Sequence, residues 1–409
     1  MLREIRVAHY CQTIKQLTDF FIQDRFQRIE QIWRYELHKT SRLIEPVYMI
    51  VLTGGPCSGK SSSLAFLTEK LSNNGFMIFV VPETATLITN SGIDRRKMHK
   101  SKQVNAYEEA ILDMQLAFEE TYKQTVMKVF PERRKVILLD RGIMDIKAFM
   151  ANDEFKEIIK RKKLSEVKLR DRYNGVIHLV TAADGASGYY TGDNNPARIE
   201  TPEEAINIDQ RIRESWLGHP HFKIIDNTTD FEGKINRTFS AISQFLGLPA
   251  PLQVSERFLV ENIQYEKIPA HQIIQIEQMY LRSKNKNEEI RIRKRGQNSS
   301  YMYFLSRKTI IEEEGLIAEQ EYIHLTKLID PKTDIILKER TCFLWNNQHF
   351  ELDQYKGKHE NTAILKIEPF ETTKKEGKIH IPPFIKVNSN ITGNPLYDER
   401  RMAIKKKRK

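Results

Sequence analysis

The run from Tyr48 to Ser61, YMIVLTGGPCSGKS, fixes more of this chain's architecture than any other stretch. Its apolar half reads as a buried strand, and the strand must break at Gly54, Gly55 and Pro56, where neither helix nor sheet is favoured. Cys57, Ser58 and Gly59 complete the turn, and Lys60, Ser61 and Ser62 open an amphipathic segment expected to be helical to about residue 72. Every required position of GxxxxGK[ST] is matched, between a strand and a helix. In that arrangement backbone N–H groups curl around a phosphate and the helix N-terminus adds a favourable dipole. Lys60 would reach the β and γ oxygens of a nucleoside triphosphate, ATP or GTP, and the Ser61 hydroxyl would join a Mg²⁺ ion. Gly54, Gly55, Pro56, Cys57, Ser58, Gly59, Lys60, Ser61 and Ser62 are therefore the candidate nucleotide-binding residues.

The fold around this turn follows from the spacing of apolar runs. YMIVLT, FMIFVVP, VILLD, VIHLVT and FKIID alternate with amphipathic stretches, one of them long, from about residue 103 to 130. Short continuous apolar strands separated by helices predict a parallel sheet covered on both faces. Thr201-Pro202-Glu203-Glu204 supplies an N-cap, a proline at the first helical position and a glutamate at the third. Gly247 followed by Pro249 and Pro251 ends the pattern. Beyond 270 the period becomes two, in EEIRIRKR, YMYFLSRK, DIILKERT, HFELDQY and AILKIEP, which predicts a meander of antiparallel strands. The expected organisation is a helical extension over 1–45, a phosphate-loop α/β domain over 46–250, a linker over 251–269, an antiparallel β domain over 270–402 and a basic tail over 403–409. Ile14, Leu17, Phe20, Phe21, Ile29 and Ile32 carry the helical spacing of the extension.

Composition fits two folded domains, since a chain of 409 residues exceeds the roughly 250–300 at which single cores stop growing. The formal net charge is +11, with the run Lys405 to Lys409 contributing much of it. Such a balance suits phosphate-rich ligands or anionic lipid headgroups. Nucleic acid is disfavoured, because no RNA-module motif or aromatic platform accompanies the charge. Cys11, Cys57 and Cys342 are too few and too scattered for a disulfide framework or a zinc site. No apolar run approaches a membrane span and the N-terminus lacks a signal-peptide core, so the expectation is a cytoplasmic protein with peripheral membrane contact through the basic tail.

Two strands end on acids where an α/β sheet forms its ligand crevice. FVVPE ends at Glu83, and VILLD ends at Asp140, followed by Arg141 and Gly142. Asp140 could hold Mg²⁺, directly or through water, or cap a helix; Glu83 could serve the site or simply face solvent. The polar stretch from 184 to 213 carries Arg198, Arg211 and Arg213. One of these is expected on a lid that closes over the phosphates, with Arg198 the candidate.

In the β domain the charged residues share parity. Arg291 and Arg293 oppose Ile290 and Ile292, Lys338 pairs with Arg340, Glu351 with Asp353, and Lys366 with Glu368. These faces either look out to water or converge inside a barrel as a tunnel for a polyanion.

PETAT at 82–86 resembles the EP motif of deoxynucleoside kinases, and DRG at 140–142 resembles their ERS motif. The resemblance implies that Glu83 is the base for a substrate hydroxyl and that Arg141 contacts the transferring phosphate, with Asp140 assisting the metal. HLVTAADGASGYYTGDNNPARIETPEEA and SWLGHPHFKIIDN, in a phosphate-loop domain before a strand-rich one, resemble the TRPL translocation defect protein family. That family joins a NadR-like AAA domain to a CYTH-like domain and is described as binding GTP and phosphatidic acid. CYTH proteins open with an ExExK strand, and here Gln275, Glu277 and Met279 stand at those positions. The implied tunnel retains Glu277, Arg291, Arg293, Lys308, Lys338, Arg340, Glu351, Asp353, Lys366 and Glu368, and reads as a binding tunnel rather than a hydrolase. Two functions follow: a nucleotide-regulated protein binding an anionic lipid headgroup or phosphorylated small molecule, or a kinase acting on a nucleoside or metabolite hydroxyl.

Overall fold

The computed structural model describes residues 45–186, 201–248, 255–283, 285, 287–309, 312–346, 348–367 and 379–405. The extension expected over 1–45, except for its last residue, and the tail from 406 onward lie outside the described residues.

Five strands form a parallel sheet: β1 (Val47–Thr53), β2 (Met77–Val81), β3 (Lys135–Asp140), β4 (Gly175–Leu179) and β5 (Phe222–Ile225), in the order β2-β3-β1-β4-β5. Because side chains alternate along a strand, Met49, Val51, Ile137 and Leu139 enter one core while Ile50, Leu52, Val136 and Leu138 enter another. The first core is covered by α3 (Ser101–Val129), through Ile111 and Leu112, and by Ile212 of α6 (Pro202–Ser215). The second is covered by Leu64, Leu67 and Leu71 of α1 (Lys60–Asn73) and by Ile242 of α7 (Phe231–Phe245). Shorter helices α2 (Thr84–Asn90), α4 (Asn152–Arg161) and α5 (Glu166–Arg170) fill the connections. Each fully buried aliphatic contributes about 1.5–3 kcal/mol. The frame that aims the strand ends at one crevice is thus held from both sides. The capping box at the start of α6 is present: Thr201 Oγ1 accepts from Glu204 N–H and Glu204 Oε2 accepts from Thr201 N–H.

The second sheet has nine strands in the order β10-β9-β8-β7-β11-β12-β13-β6-β14, antiparallel throughout. They are β6 (Glu256–Ile263), β7 (His271–Tyr280), β8 (Glu289–Gln297), β9 (Ser300–Lys308), β10 (Glu312–Ile317), β11 (Ile336–Trp345), β12 (Gln348–Tyr355), β13 (Ala363–Ile367) and β14 (Ile385–Asn390). β6 corrects the expected linker over 251–269: Glu256–Ile263 pairs with β13 and β14 inside the sheet. The β8–β9 hairpin turns on Asn298 and Ser299, both with positive φ (51° and 60°), as a two-residue turn matched to strand twist requires. Two short helices, α8 (Glu319–Leu325) and α9 (Glu399–Ala403), complete the domain. Among the described residues no helix is long and apolar enough to cross a membrane.

The two sheets meet at a polar seam. Asp171, just beyond α5, takes Arg170 Nε at 2.6 Å and Arg295 Nη1 of β8 at 3.0 Å. Arg295 Nη2 also donates to the Gly218 carbonyl (2.7 Å). Leu217 packs beside Ile274, Ile276 and Cys342.

Candidate nucleotide site and interior cavity

The turn after β1 is built by backbone freedom and one buried carboxylate. Gly54 (φ 148°) has no room for a side chain, since a Cβ there would lie 2.1 Å from the Leu179 carbonyl oxygen. Gly55 N–H donates to Asp209 Oδ1 at 2.8 Å, and Thr181 N–H donates to the same oxygen at 3.1 Å. Thr181 Oγ1 reaches the Pro56 carbonyl. Asp209, on α6 and fully buried, also lies 3.0 Å from His178 Nε2 and 3.1 Å from Arg213 Nε. It anchors the turn to β4 and α6, and no sequence motif marks it.

Lys60 Nζ folds back onto the turn, donating to the carbonyls of Gly54 (2.9 Å) and Gly55 (3.1 Å) and to Ser58 Oγ (3.1 Å). Burial, reinforced by the charge of Arg141, lowers its ammonium to about 8. Ser61 and Ser62 are exposed in the first turn of α1. Asp140 closes β3. Its Oδ1 is buried without a hydrogen-bond partner, and burial raises its carboxyl above the usual range. An orphaned carboxylate oxygen beside a phosphate loop fits a Mg²⁺ shared by Asp140, the Ser61 hydroxyl and nucleotide oxygens. Among the described residues no group of three or more His, Cys, Asp or Glu side chains is arranged to hold a metal. The nucleotide itself would have to complete the ion's shell.

Glu83 and Arg141 meet. Arg141 Nε donates to Glu83 Oε1 at 2.5 Å and its Nη1 donates to the Gly54 carbonyl at 3.2 Å. Asp145, which sequence reasoning missed, lies 3.4 Å from the same guanidinium and accepts from Thr53 Oγ1 (2.8 Å) and Trp216 Nε1 (2.6 Å). Burial opposes the charge of Glu83, but Arg141 and the Thr86 hydroxyl outweigh it and hold the carboxyl at about 2. A pocket of about 120 Å³ opens beside this pair, lined by Arg95, Tyr107, Glu108, Gln115 and Phe149. Burial raises Glu108 in its wall to about 7.

The candidate lid arginines separate. Arg213 is buried and held toward Asp209, and Arg211 donates to the Met150 carbonyl (3.2 Å). Both stay in the body of the domain, because α6 packs them there. Arg198 lies outside the described residues. Asn227 Nδ2 binds the carbonyls of Thr181 (2.7 Å) and Asp184 (2.6 Å), fixing the loop after β4.

In the second domain Arg291, Arg293, Lys338, Arg340, Glu351 and Lys366 line one cavity of about 500 Å³. Asp353, buried next to it, takes Lys338 Nζ (2.7 Å) and Arg340 Nε (2.6 Å), and Glu351 lies 2.8 Å from Arg340 Nη1. Arg291 and Arg293 are 3.6 and 3.3 Å from Glu314. Sequence reasoning missed Glu314 and also Glu399, which pairs with Lys338. Burial disfavours these carboxylates, but the arginines and lysines prevail: Glu351 and Glu399 fall well below the usual range, and Glu314 sits at about 2.

Three tunnel assignments need correction or fall outside. Glu277 faces away from the cavity and accepts from Tyr322 OH at 2.8 Å. Its strand partner series shows why: Ile276 pairs with Lys338 and Ile274 with Arg340, so the interior face of β7 is Ile274, Ile276 and Gln278. Gln275, Glu277 and Met279 occupy the opposite face. Lys308 is exposed at the end of β9, outside the cavity lining. Glu368 lies outside the described residues.

Residues 49–234 match the AAA domain family. They form a nucleotide-binding phosphate-loop domain. No curated protein matches the chain. Among solved structures, the inorganic triphosphatase NE1496 is similar at 20% identity, covering 38% of this chain and 96% of that one with a TM-score of 0.31. The PH1819 protein from Pyrococcus horikoshii OT3 is similar at 20% identity, covering 36% of this chain and 98% of its own, with a TM-score of 0.25. Likeness at this level says nothing of what this chain binds.

Proposed function

We propose that this is a nucleotide-regulated binding protein. The phosphate loop takes Mg²⁺ with ATP or GTP, and the β domain holds a phosphorylated ligand, either a small molecule or an anionic headgroup such as that of phosphatidic acid. The observation that carries this reading is the cavity of the β domain, where arginines and lysines from β8, β11 and β13 converge on one partly enclosed volume. Guanidinium forks match phosphate oxygens in pairs, and burial strengthens such contacts. The resemblance to the TRPL translocation defect family supports GTP and phosphatidic acid as the specific pair, and the basic tail suits peripheral membrane contact. Flotation of the full chain with vesicles containing phosphatidic acid, with and without GTP and Mg²⁺, tests it. Binding that ignores both nucleotide and headgroup would reject the proposal.

The small pocket beside Glu83 favours a second reading, a kinase that passes the γ-phosphate to a hydroxyl. There Glu83 would orient and deprotonate the acceptor, Arg141 would neutralise the transferring phosphoryl group, and Mg²⁺ held by Ser61 and Asp140 would screen the β and γ oxygens. Release of ADP or GDP across a panel of nucleosides and metabolites decides between the readings; no acceptor-dependent release leaves the first alone.

A further inference from the structure

The geometry points to a composite site. A compact oligophosphate or phosphomonoester group in the interior cavity is held by both domains at once, with Lys223 and His221 of the first domain at one end, and its binding is linked to nucleotide binding through Tyr173. The inference rests on the cavity reading above and adds the second wall and the linkage.

The cavity is not walled by the β domain alone. Asp171, Tyr173, Asn174, His221 and Lys223 line it together with Arg291, Arg293 and Lys338. The first domain therefore meets any ligand that fills this volume, and it does so with a lysine and a histidine at the start of β5.

Tyr173 connects that wall to the nucleotide crevice. Its hydroxyl accepts from Ile143 N–H (3.1 Å) and donates to Glu119 Oε1 (2.8 Å). Ile143 opens the turn immediately after Asp140, Arg141 and Gly142, so the amide that Tyr173 holds belongs to the segment carrying the metal and phosphate contacts. On the other side the Tyr173 carbonyl meets His219 Nε2 at 3.2 Å, and His219 Nδ1 accepts from His221 N–H at 3.1 Å. His221 Nε2 then lies 3.8 Å from Glu314, the carboxylate between Arg291 and Arg293. The neighbouring Asn174 Oδ1 accepts from Met49 N–H (2.8 Å), near the start of the strand that ends in the phosphate loop. A ligand drawing Arg291 and Arg293 from Glu314 would release Glu314 toward His221 and shift this chain of contacts. By linkage, the nucleotide must then change the cavity's affinity by the same factor.

Inorganic tripolyphosphate is the probe, added with excess Mg²⁺ to the full chain carrying Lys60→Ala so that the phosphate loop does not compete. Calorimetry should show binding, weakened about fivefold or more by adding Lys223→Ala or Lys223→Gln. Vesicles with a phosphomonoester lipid, against phosphatidylcholine vesicles, tell a headgroup from a free phosphate as the source. With the natural Lys60, where the probe also competes at the phosphate loop, it should shift GTP or ATP affinity by about fivefold beyond that competition. That shift should vanish in Arg293→Ala and in Tyr173→Phe, each of which still binds nucleotide. Should Tyr173→Phe fold poorly, hydrogen exchange at the Ile143 amide of the Lys60→Ala chain gives the same answer, since there the probe reaches only the cavity and should still change that amide's protection. If neither probe nor vesicle binds the Lys60→Ala chain, the cavity reading itself fails. Binding indifferent to Lys223 overturns the composite wall and leaves the cavity reading standing. A probe effect on nucleotide affinity that is the same in Arg293→Ala as in the unaltered chain, or an Ile143 amide of the Lys60→Ala chain blind to the probe, overturns the linkage.

Discussion

Arg141 Nε donates to Glu83 Oε1 at 2.5 Å, so the acid that ends the second-strand segment and the guanidinium that follows the third are one ion pair at the mouth of the phosphate loop. Arg141 adopts φ 71°, a left-handed conformation that costs a non-glycine residue about 1 kcal/mol or more. The turn after Asp140 is held there by partners on both sides: Glu83, the Gly54 carbonyl and Asp145.

Glu83→Gln separates the two functional readings. If γ-phosphate passes to an acceptor hydroxyl, loss of the carboxylate lowers turnover by about 10²–10⁴-fold, the range for a positioned base. Nucleotide affinity should change far less, because the hydrogen-bond partners of Glu83 are Arg141 and Thr86 rather than residues of the phosphate loop. Steady-state ADP or GDP release with each acceptor, alongside calorimetric nucleotide affinity, reads both quantities. Equal turnover in the two proteins would remove Glu83 from the chemistry.

Lys60 gives nucleotide binding a pH dependence. In the free chain burial and Arg141 hold its ammonium at about 8, and an added triphosphate raises that value by favouring the charged form. The complex therefore binds more protons than the free protein near this pH. Affinity should be flat below pH 8 and fall as pH rises through it, by up to about tenfold per unit. Calorimetry in buffers of different ionisation heat should register uptake of about half a proton at pH 8. Affinity that is constant from pH 7 to 9.5 would contradict the buried placement of Lys60.

Asp209 should matter more to the loop's shape than its distance from any phosphate suggests. Burial works against its charge, but His178, Arg213 and the Gly55 amide hold the carboxyl at about 2. Its contribution to stability is thus present above the unfolded value near 4 and is lost as pH falls toward 2. Asp209→Asn leaves buried Arg213 facing a neutral group with Asp184 4.0 Å away as a remaining counter-charge, at a cost of about 3 kcal/mol. It also loosens Gly55, so nucleotide affinity should drop in the fraction that remains folded. Urea denaturation at pH 7 measures the first effect and calorimetry the second; an unchanged denaturation midpoint would refute the anchoring role.

The sequence made the phosphate loop and the first sheet legible because their signals are local. Continuous apolar strands need no partner to be recognised, and glycines at fixed offsets announce a turn. The parity of Arg291, Arg293, Lys338 and Arg340 was equally local, and these side chains do share the cavity. The correspondence with the ExExK strand misled at β7. There the apolar series Ile274 and Ile276 faces inward because Leu217 of the other domain packs beside it, so Glu277 is turned out. The register with β11 and a contact between domains decide that strand's orientation, and no window of residues contains either. Asp145 and Asp209 were missed for a related reason: each is a single acid whose partners come from strands and helices far along the chain. Arg213 looked like a lid residue until α6 buried it against Asp209.

The seam between the domains makes the last prediction. Asp171 is fully buried between Arg170 and Arg295, the one beside it in sequence and the other on β8. Burial opposes its charge and the two guanidinium groups prevail, keeping the carboxyl below its usual range. Asp171→Asn would leave two buried cations facing each other with no anion between them, a loss of about 3–5 kcal/mol. Arg295→Met should cost less, since Asp171 keeps Arg170 and the apolar methionine side chain still fills part of the seam. The damage falls on contacts that join the sheets and spares both cores. Calorimetric unfolding of Asp171→Asn should therefore resolve into two transitions, with the Arg295→Met chain closer to the unaltered profile. A single transition at the original temperature in Asp171→Asn would mean that the two domains are held together by something other than this carboxylate.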